Sequence, residues 1–314
     1  MSKISLRTLL THGSLLALTF VTTTLAGVQW TGYDPTEIAN FFHGLTYSVL
    51  LLTVLGSHEL GHYIAARIHS VDSTLPFFLP FPPYYGLMPF GTLGAVIKIK
   101  SEIRTRIALF DIGVSGPIAG FVVSVIVLAI GFATLPSVEY LYNVHPEYRT
   151  MSSMPLGGLT FGTSLAYSLL ANVFGPADAF IPPMNELYHY PFLCVGWFGL
   201  FVTALNLIPI AQLDGGHITK ATLGRSARPV EISALVFLVV LGIAGLMPLF
   251  GLPFVTGWPG WLLWAAILVA MNRMSRNRSL AMAFPDDLDS TRQGLALISL
   301  LIFIFSFSPS PFTI

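Results

Sequence analysis

Charge is scarce in this chain. Of its 314 residues only 10% are Asp, Glu, Lys or Arg, against about 25% in an average soluble protein, while 54% are hydrophobic. So few charges cannot cover a compact body in water, and the mean hydropathy of +0.74 makes lipid the solvent, which implies an integral membrane protein. Neither sign of charge dominates, with 15 basic and 15 acidic residues, and no Lys/Arg run is longer than two. That pattern excludes a nucleic-acid partner. Cysteine is nearly absent: Cys194 alone can form neither a disulfide nor a Cys-based metal site within one chain. No internal repeat, low-complexity tract or attached soluble domain is legible.

Long apolar runs are what the chain does have. They lie near 8–29, 41–66, 107–135, 191–210, 230–250 and 257–272, with a shorter one at 294–308, and a bilayer crossing needs about 20 residues. The first exceeds the roughly 7 to 15 residues of a secretory core, so a retained helix is expected there rather than a signal peptide. If the N-terminus is cytoplasmic and each long run crosses once, Lys3, Arg7, Arg67, Lys98, Lys100, Arg104, Arg106, Lys220, Arg225, Arg228, Arg273, Arg276, Arg278 and Arg292 fall on the inner side. Arg149 alone falls outside, beside Asp34, Glu37, Glu139, Glu147, Asp178 and Glu186. This bias matches the positive-inside rule for a cell membrane with the N-terminus and active-site side cytoplasmic.

The expected fold is an all-α polytopic membrane protein of about six to seven transmembrane helices. Residues 1–314 read as a single membrane-embedded domain, with a catalytic core at about 41–220 and an external loop at about 136–190 that has a short helix near 161–174. Between the second and third helices, 75–94 is apolar yet carries Pro76, Pro80, Pro82, Pro83, Pro89, Gly86, Gly91 and Gly94. No regular helix accommodates that composition. Irregular backbone at membrane depth must pack on protein or line a wet cavity. Residues 95–100 then alternate like a strand, so a re-entrant loop ending in a short strand is expected.

Within the second run the sequence reads Ser57-His58-Glu59-Leu60-Gly61-His62. On a helix, positions i and i+4 lie about 40° apart around the axis and about 6 Å apart along it. Two imidazoles so placed converge on one zinc ion, while the intervening Glu59 projects toward a water as general base. A helix end at the interface would also tolerate these polar groups, but burial of a carboxylate and two histidines in an apolar run is costly, about 3 kcal/mol for Asp at a helix centre. Zinc requires a third protein ligand. Asp214 is the best candidate: it ends a hydrophobic run, where Pro209 and Gly215-Gly216 break the helix and let it turn inward. An Asp before Gly-Gly is also a common ordinary turn. His43 and His69 lie about 22 Å and about 10 Å along the helix from the motif, too far to share its metal, and nothing in the spacing of His12, His145 or His189 recommends them. Asp111 reads as an interface or helix-start residue.

His58-Glu59-Leu60-Gly61-His62, joined about 150 residues later to Asn206-x-x-Pro209-x-x-x-Leu213-Asp214-Gly215, resembles the paired signature of the site-2 protease family, peptidase family M50. Asp111-Ile-Gly-Val-Ser-Gly-Pro-Ile-Ala-Gly120 resembles the family's central Gly-Pro-x-x-Gly helix, and Phe90-Gly-Thr-Leu-Gly-Ala its re-entrant loop. No PDZ insertion is legible. The resemblance implies one zinc per chain held by His58, His62 and Asp214, and hydrolysis of peptide bonds within or beside the transmembrane segment of a protein substrate in the bilayer. It also implies that Asn206 helps hold the substrate carbonyl or transition state; an interhelical hydrogen bond would explain Asn206 equally well. His217 is placed to orient a ligand from behind. Two other readings compete: a membrane protease for prenylated chains, with Glu231 as third ligand, and a transporter or inactive metal-binding relative.

Overall fold

The computed structural model describes residues 5–83, 90–152, 154–155, 157–176, 180–210, 212–253, 256–276 and 287–313. Lys3, Arg278 and Asp178 of the charge pattern, and residues 84–89 of the Pro/Gly-rich stretch, lie outside the described residues. The fold is mostly helical: α1 (Leu6–Trp30), α2 (Leu45–Ile68), α3 (Arg106–Ala133), α4 (Val138–Val144), α5 (Leu165–Phe174), α6 (Pro191–Leu207), α7 (Asp214–Leu223), α8 (Ala227–Ala244), α9 (Gly260–Arg276) and α10 (Ser290–Ser306). Among the described residues, four stretches are long and apolar enough to cross a membrane: Leu6–Trp30, Ile38–Ile68, Arg106–Ala133 and Asp214–Ala244. The apolar helices Pro191–Leu207 and Ser290–Ser306 are shorter.

Local chemistry sets the helix ends. Thr105 caps α3 by accepting the Ala108 N–H at 3.1 Å, Ser164 caps α5 through the Tyr167 N–H at 3.3 Å, and Asp289 caps α10 through the Arg292 N–H at 2.9 Å. Pro191 opens α6, where a missing N–H costs nothing.

The core lies where α2, α3 and α6 meet. Tyr47, Leu51 and Val54 of α2 pack with Val127, Leu128 and Phe132 of α3 and with Leu193, Trp197 and Leu200 of α6. Cys194 is fully buried there as a small apolar group. The opposite faces are apolar too. Val122, Ile126 and Ile130 of α3, one turn apart, are 43% to 51% exposed. In water that stripe would be unfavourable, whereas in lipid it is the expected outer surface.

Two short strands, β1 (Phe77–Pro80) and β2 (Thr92–Val96), form an antiparallel pair, with an isolated bridge between Ser73 and Ile99. This corrects the expected strand at 95–100. Pairing begins three residues earlier, and part of the stretch expected to be irregular is itself a strand. Pro80 is accommodated at the end of β1, past an irregularity in register, where no ladder N–H is required. The hairpin runs along α1: His12 Nδ1 donates to the Pro76 carbonyl at 2.9 Å, Thr22 Oγ1 to Gly91 at 2.7 Å and Gln29 Nε2 to Pro83 at 3.3 Å. His12 to Gln29 corresponds to roughly 25 Å of helix.

The connection between α3 and α6 contains α4, α5 and β3 (Thr160–Phe161). The short helix expected near 161–174 starts at Leu165, after its Ser164 cap. β3 pairs with β4 (Phe312–Thr313), a contact between segments some 150 residues apart.

Candidate metal centre

His58 and His62 stand one turn apart on the buried face of α2, each 6% exposed. Asp214 comes to them from about 150 residues further along the chain. α6 stops at Leu207 because Pro209 cannot continue it, and the Ile210 N–H folds back onto the Ile208 carbonyl at 2.7 Å. The chain then re-enters a helix at Asp214, the first residue of α7, where a carboxylate is favoured by the helix dipole.

The three side chains converge. His58 Nε2 and His62 Nε2 are 3.1 Å apart, and each lies 3.3 Å from Asp214 Oδ2. A tetrahedral zinc with bonds of about 2.0 to 2.1 Å holds its ligand atoms roughly 3.3 Å apart, so this donor set fits the ion. His62 Nδ1 is 2.6 Å from the Ile112 carbonyl of α3, which can only accept. The proton therefore sits on Nδ1 and the Nε2 lone pair is free for a metal.

Close approach of α3 makes the cluster possible. A Cβ on Gly116 would fall 2.2 Å from His62 Nε2, and one on Gly120 would fall 3.2 Å from His58 Nδ1. The Gly-Pro-x-x-Gly stretch is thus a flat surface against which both imidazoles lie. Sequence reasoning noticed this motif but assigned it no task.

Glu59 is 7% exposed and, with His58, His62, Asp214, Asn206 and His217, lines a cavity of about 260 Å³. Ala95, Val96 and Ile97, at and just after the end of β2, form another wall, and the Ile97 backbone faces the Glu59 carboxylate. Asn206, on the last turn of α6, places Nδ2 3.3 Å from His58 Nε2. His217 sits one turn along α7 from Asp214. Glu231 is elsewhere, 3.6 Å from Lys220 Nζ. Asp111 ties two elements to α3: it accepts from His69 Nε2 at 2.8 Å, and from Arg292 Nε and Nη2 at 2.8 and 2.6 Å.

A family model described as peptidase family M50 matches residues 46–249. The chain belongs to peptidase family M50. The M50 match takes in α2, α3, α6, α7 and α8, and so includes every residue of the cluster. Over 207 residues the chain is 28% identical to "Probable zinc metalloprotease EGY2, chloroplastic" of Oryza sativa subsp. indica, covering 66% of this chain and 33% of that protein. Over 185 residues it is 31% identical to "Probable zinc metalloprotease EGY1, chloroplastic" of Arabidopsis thaliana, covering 58% and 30%. The matched part is thus about a third of the length of these M50 relatives. Their names place those proteins in the chloroplast, and lend no support to the expected cell membrane or to a cytoplasmic identity for the basic side.

Proposed function

We propose that this M50 member is a zinc-dependent endopeptidase that hydrolyses peptide bonds within or next to transmembrane segments of other membrane proteins. His58, His62 and Asp214 hold the ion and Glu59 is the catalytic base. The observation that carries this reading is the convergence of two imidazole nitrogens and one carboxylate oxygen, all within 3.3 Å of one another, in a cavity that Glu59 also lines.

Zinc bound there polarises a carbonyl and lowers the pKa of water toward about 7. Glu59 takes a proton from the attacking water, whose oxygen bonds to the carbonyl carbon. The C–N bond then breaks, and Glu59 returns the proton to the departing amine. Asn206 offers its amide N–H groups to the carbonyl oxygen, and His217 backs the Asp214 turn.

A helical substrate hides its carbonyls in hydrogen bonds to the amides four residues on, so an extended stretch must reach the site. The backbone at 95–97, along one wall of the cavity, is suited to pair with that stretch by strand addition, replacing hydrogen bonds that lipid cannot supply. The hairpin's run along α1 from His12 to Gln29 supports a re-entrant position for it. The catalytic core, about 41–220, would face the Lys/Arg-rich side of a single membrane-embedded unit, with 136–190 on the other side. A cytoplasmic identity for the basic side follows if the positive-inside rule applies.

Purified protein in detergent, supplied with zinc and a single-span substrate, tests this reading, with Glu59→Gln as blank. Gly or Pro near the scissile bond lowers the cost of unwinding by about 1 and about 3 kcal/mol relative to Ala, so cleavage should speed up with these residues and slow with Leu. Rates indifferent to substrate helicity, or cleavage of soluble unfolded peptides alone, would reject the intramembrane assignment.

A further inference from the structure

A second set of metal-binding side chains lies in the connection between α3 and α6, and the proposed peptidase chemistry does not use it. His145 directly follows α4, while Glu186 and His189 belong to the turn before α6. The set is remote from the first cluster. His62 meets α3 beside Gly116, and α3 then runs on to Ala133, roughly 25 Å further, before this connection begins.

Three ligand atoms point at one spot. His145 Nε2 and His189 Nε2 are 3.0 Å apart, and Glu186 Oε2 lies 3.7 Å from the first and 3.5 Å from the second. These separations bracket the roughly 3.3 Å between ligand atoms of a tetrahedral zinc. Hydrogen bonding alone does not account for the arrangement. Glu186 is 2% exposed, and its Oε1 accepts from Tyr148 Oη at 2.9 Å and from Asn185 Nδ2 at 3.1 Å. Its Oε2, equally buried and aimed at the two imidazoles, accepts no hydrogen bond among the described residues. Two ring nitrogens 3.0 Å apart share at most one proton, which cannot serve that oxygen as well. Behind His145, its Nδ1 donates to Glu147 Oε1 at 3.1 Å. This carboxylate–imidazole pairing orients a metal-binding histidine and leaves Nε2 as the lone pair.

We propose that His145, Glu186 and His189 form a second zinc site, on the opposite side of the helix bundle from the Glu59 cavity. His189 and Glu186 are deeply buried, whereas the His145 side chain is 27% exposed, so a fourth position opens to water on that side. The ion's role is mechanical. It joins the 138–150 segment to the turn that launches α6, and so clamps the polar connection over the end of the core.

The test reads metal content and thermal stability, not activity. Full-length protein is stripped with chelator, reloaded with zinc, freed of excess ion and analysed for zinc per chain. Wild type should hold two, the His58→Ala/His62→Ala variant one, the His145→Ala/His189→Ala variant one, and the fourfold variant none. Added zinc should raise the Tm of His58→Ala/His62→Ala protein and leave that of the fourfold variant unchanged. Glu186→Gln, which keeps the side-chain shape, should weaken zinc binding at least tenfold in the His58→Ala/His62→Ala background, and it decides the matter if the double-alanine loop variant fails to fold. A folded His58→Ala/His62→Ala protein that holds no zinc, with a Tm indifferent to zinc, would overturn the second site and leave the first untouched.

Discussion

His62 Nδ1 donates to the Ile112 carbonyl at 2.6 Å, and this one contact joins α2 to α3 while fixing which imidazole nitrogen is free. A backbone carbonyl cannot rotate away or change protonation, so the tautomer is set by the fold. The contact requires α3 to present no side chain at Gly116, where a Cβ would come within 2.2 Å of His62 Nε2.

Gly116→Ala should therefore displace the His62 ring and lower cleavage about 10²-fold, the scale of a 1 Å misplacement in a catalytic site. It should also weaken, without abolishing, binding of the zinc held by His58, His62 and Asp214. Gly13→Ala, where an added Cβ meets nothing within 4 Å, is the control and should change neither. Zinc analysis and the cleavage assay check both variants.

Asp214→Ala should bind one zinc fewer than wild type and lose cleavage. Glu231→Ala should lose neither, because it gives up an ion pair of 3.6 Å with a Lys220 side chain that is 44% exposed, worth at most about 1 kcal/mol. Wild-type zinc content in Asp214→Ala would remove Asp214 as a ligand.

Asp111 accepts from both His69 and Arg292 and so pins the start of α10 to α3. Asp111→Ala should destabilise the protein by about 2 kcal/mol, as expected for charge-assisted hydrogen bonds, and lower its Tm in detergent. Zinc content should not change. Equal loss of zinc and Tm would show that this network also positions the metal ligands.

Reporter fusions at 70, 102 and 224 should appear on one side of the membrane and fusions at 35 and 145 on the other. A signal at 102 matching that at 35 would mean that the hairpin between α2 and α3 crosses the bilayer instead of returning.

What could be read directly from sequence was local or repetitive. Apolar length located the long helices, and His58-x-x-x-His62 fixed its own geometry because both residues ride one helix. Asp214 was legible because Pro209 and the glycine pair mark where a helix must break. Other features depend on partners distant in the chain. The start of β2 at Thr92 follows from pairing with β1, which the alternation in 95–100 does not encode. β3 meets β4 across some 150 residues of chain. His145 and His189 are 44 residues apart with α5 between them, so no spacing rule brings them together, and only the packing of the connection does. Gly116 stands in the sequence only as part of the Gly-Pro-x-x-Gly stretch, and its role toward His62 appears only when the ring is placed against it.

If Glu59 moves the proton while His58, His62 and Asp214 hold the metal, Glu59→Gln separates the two roles. Zinc per chain and the rate of cleavage of a single-span substrate should be measured on the same preparation. Zinc content should stay at the wild-type level with cleavage reduced by about 10²- to 10⁴-fold, the usual contribution of a general base. Loss of zinc in Glu59→Gln, or cleavage at the wild-type rate, would contradict it.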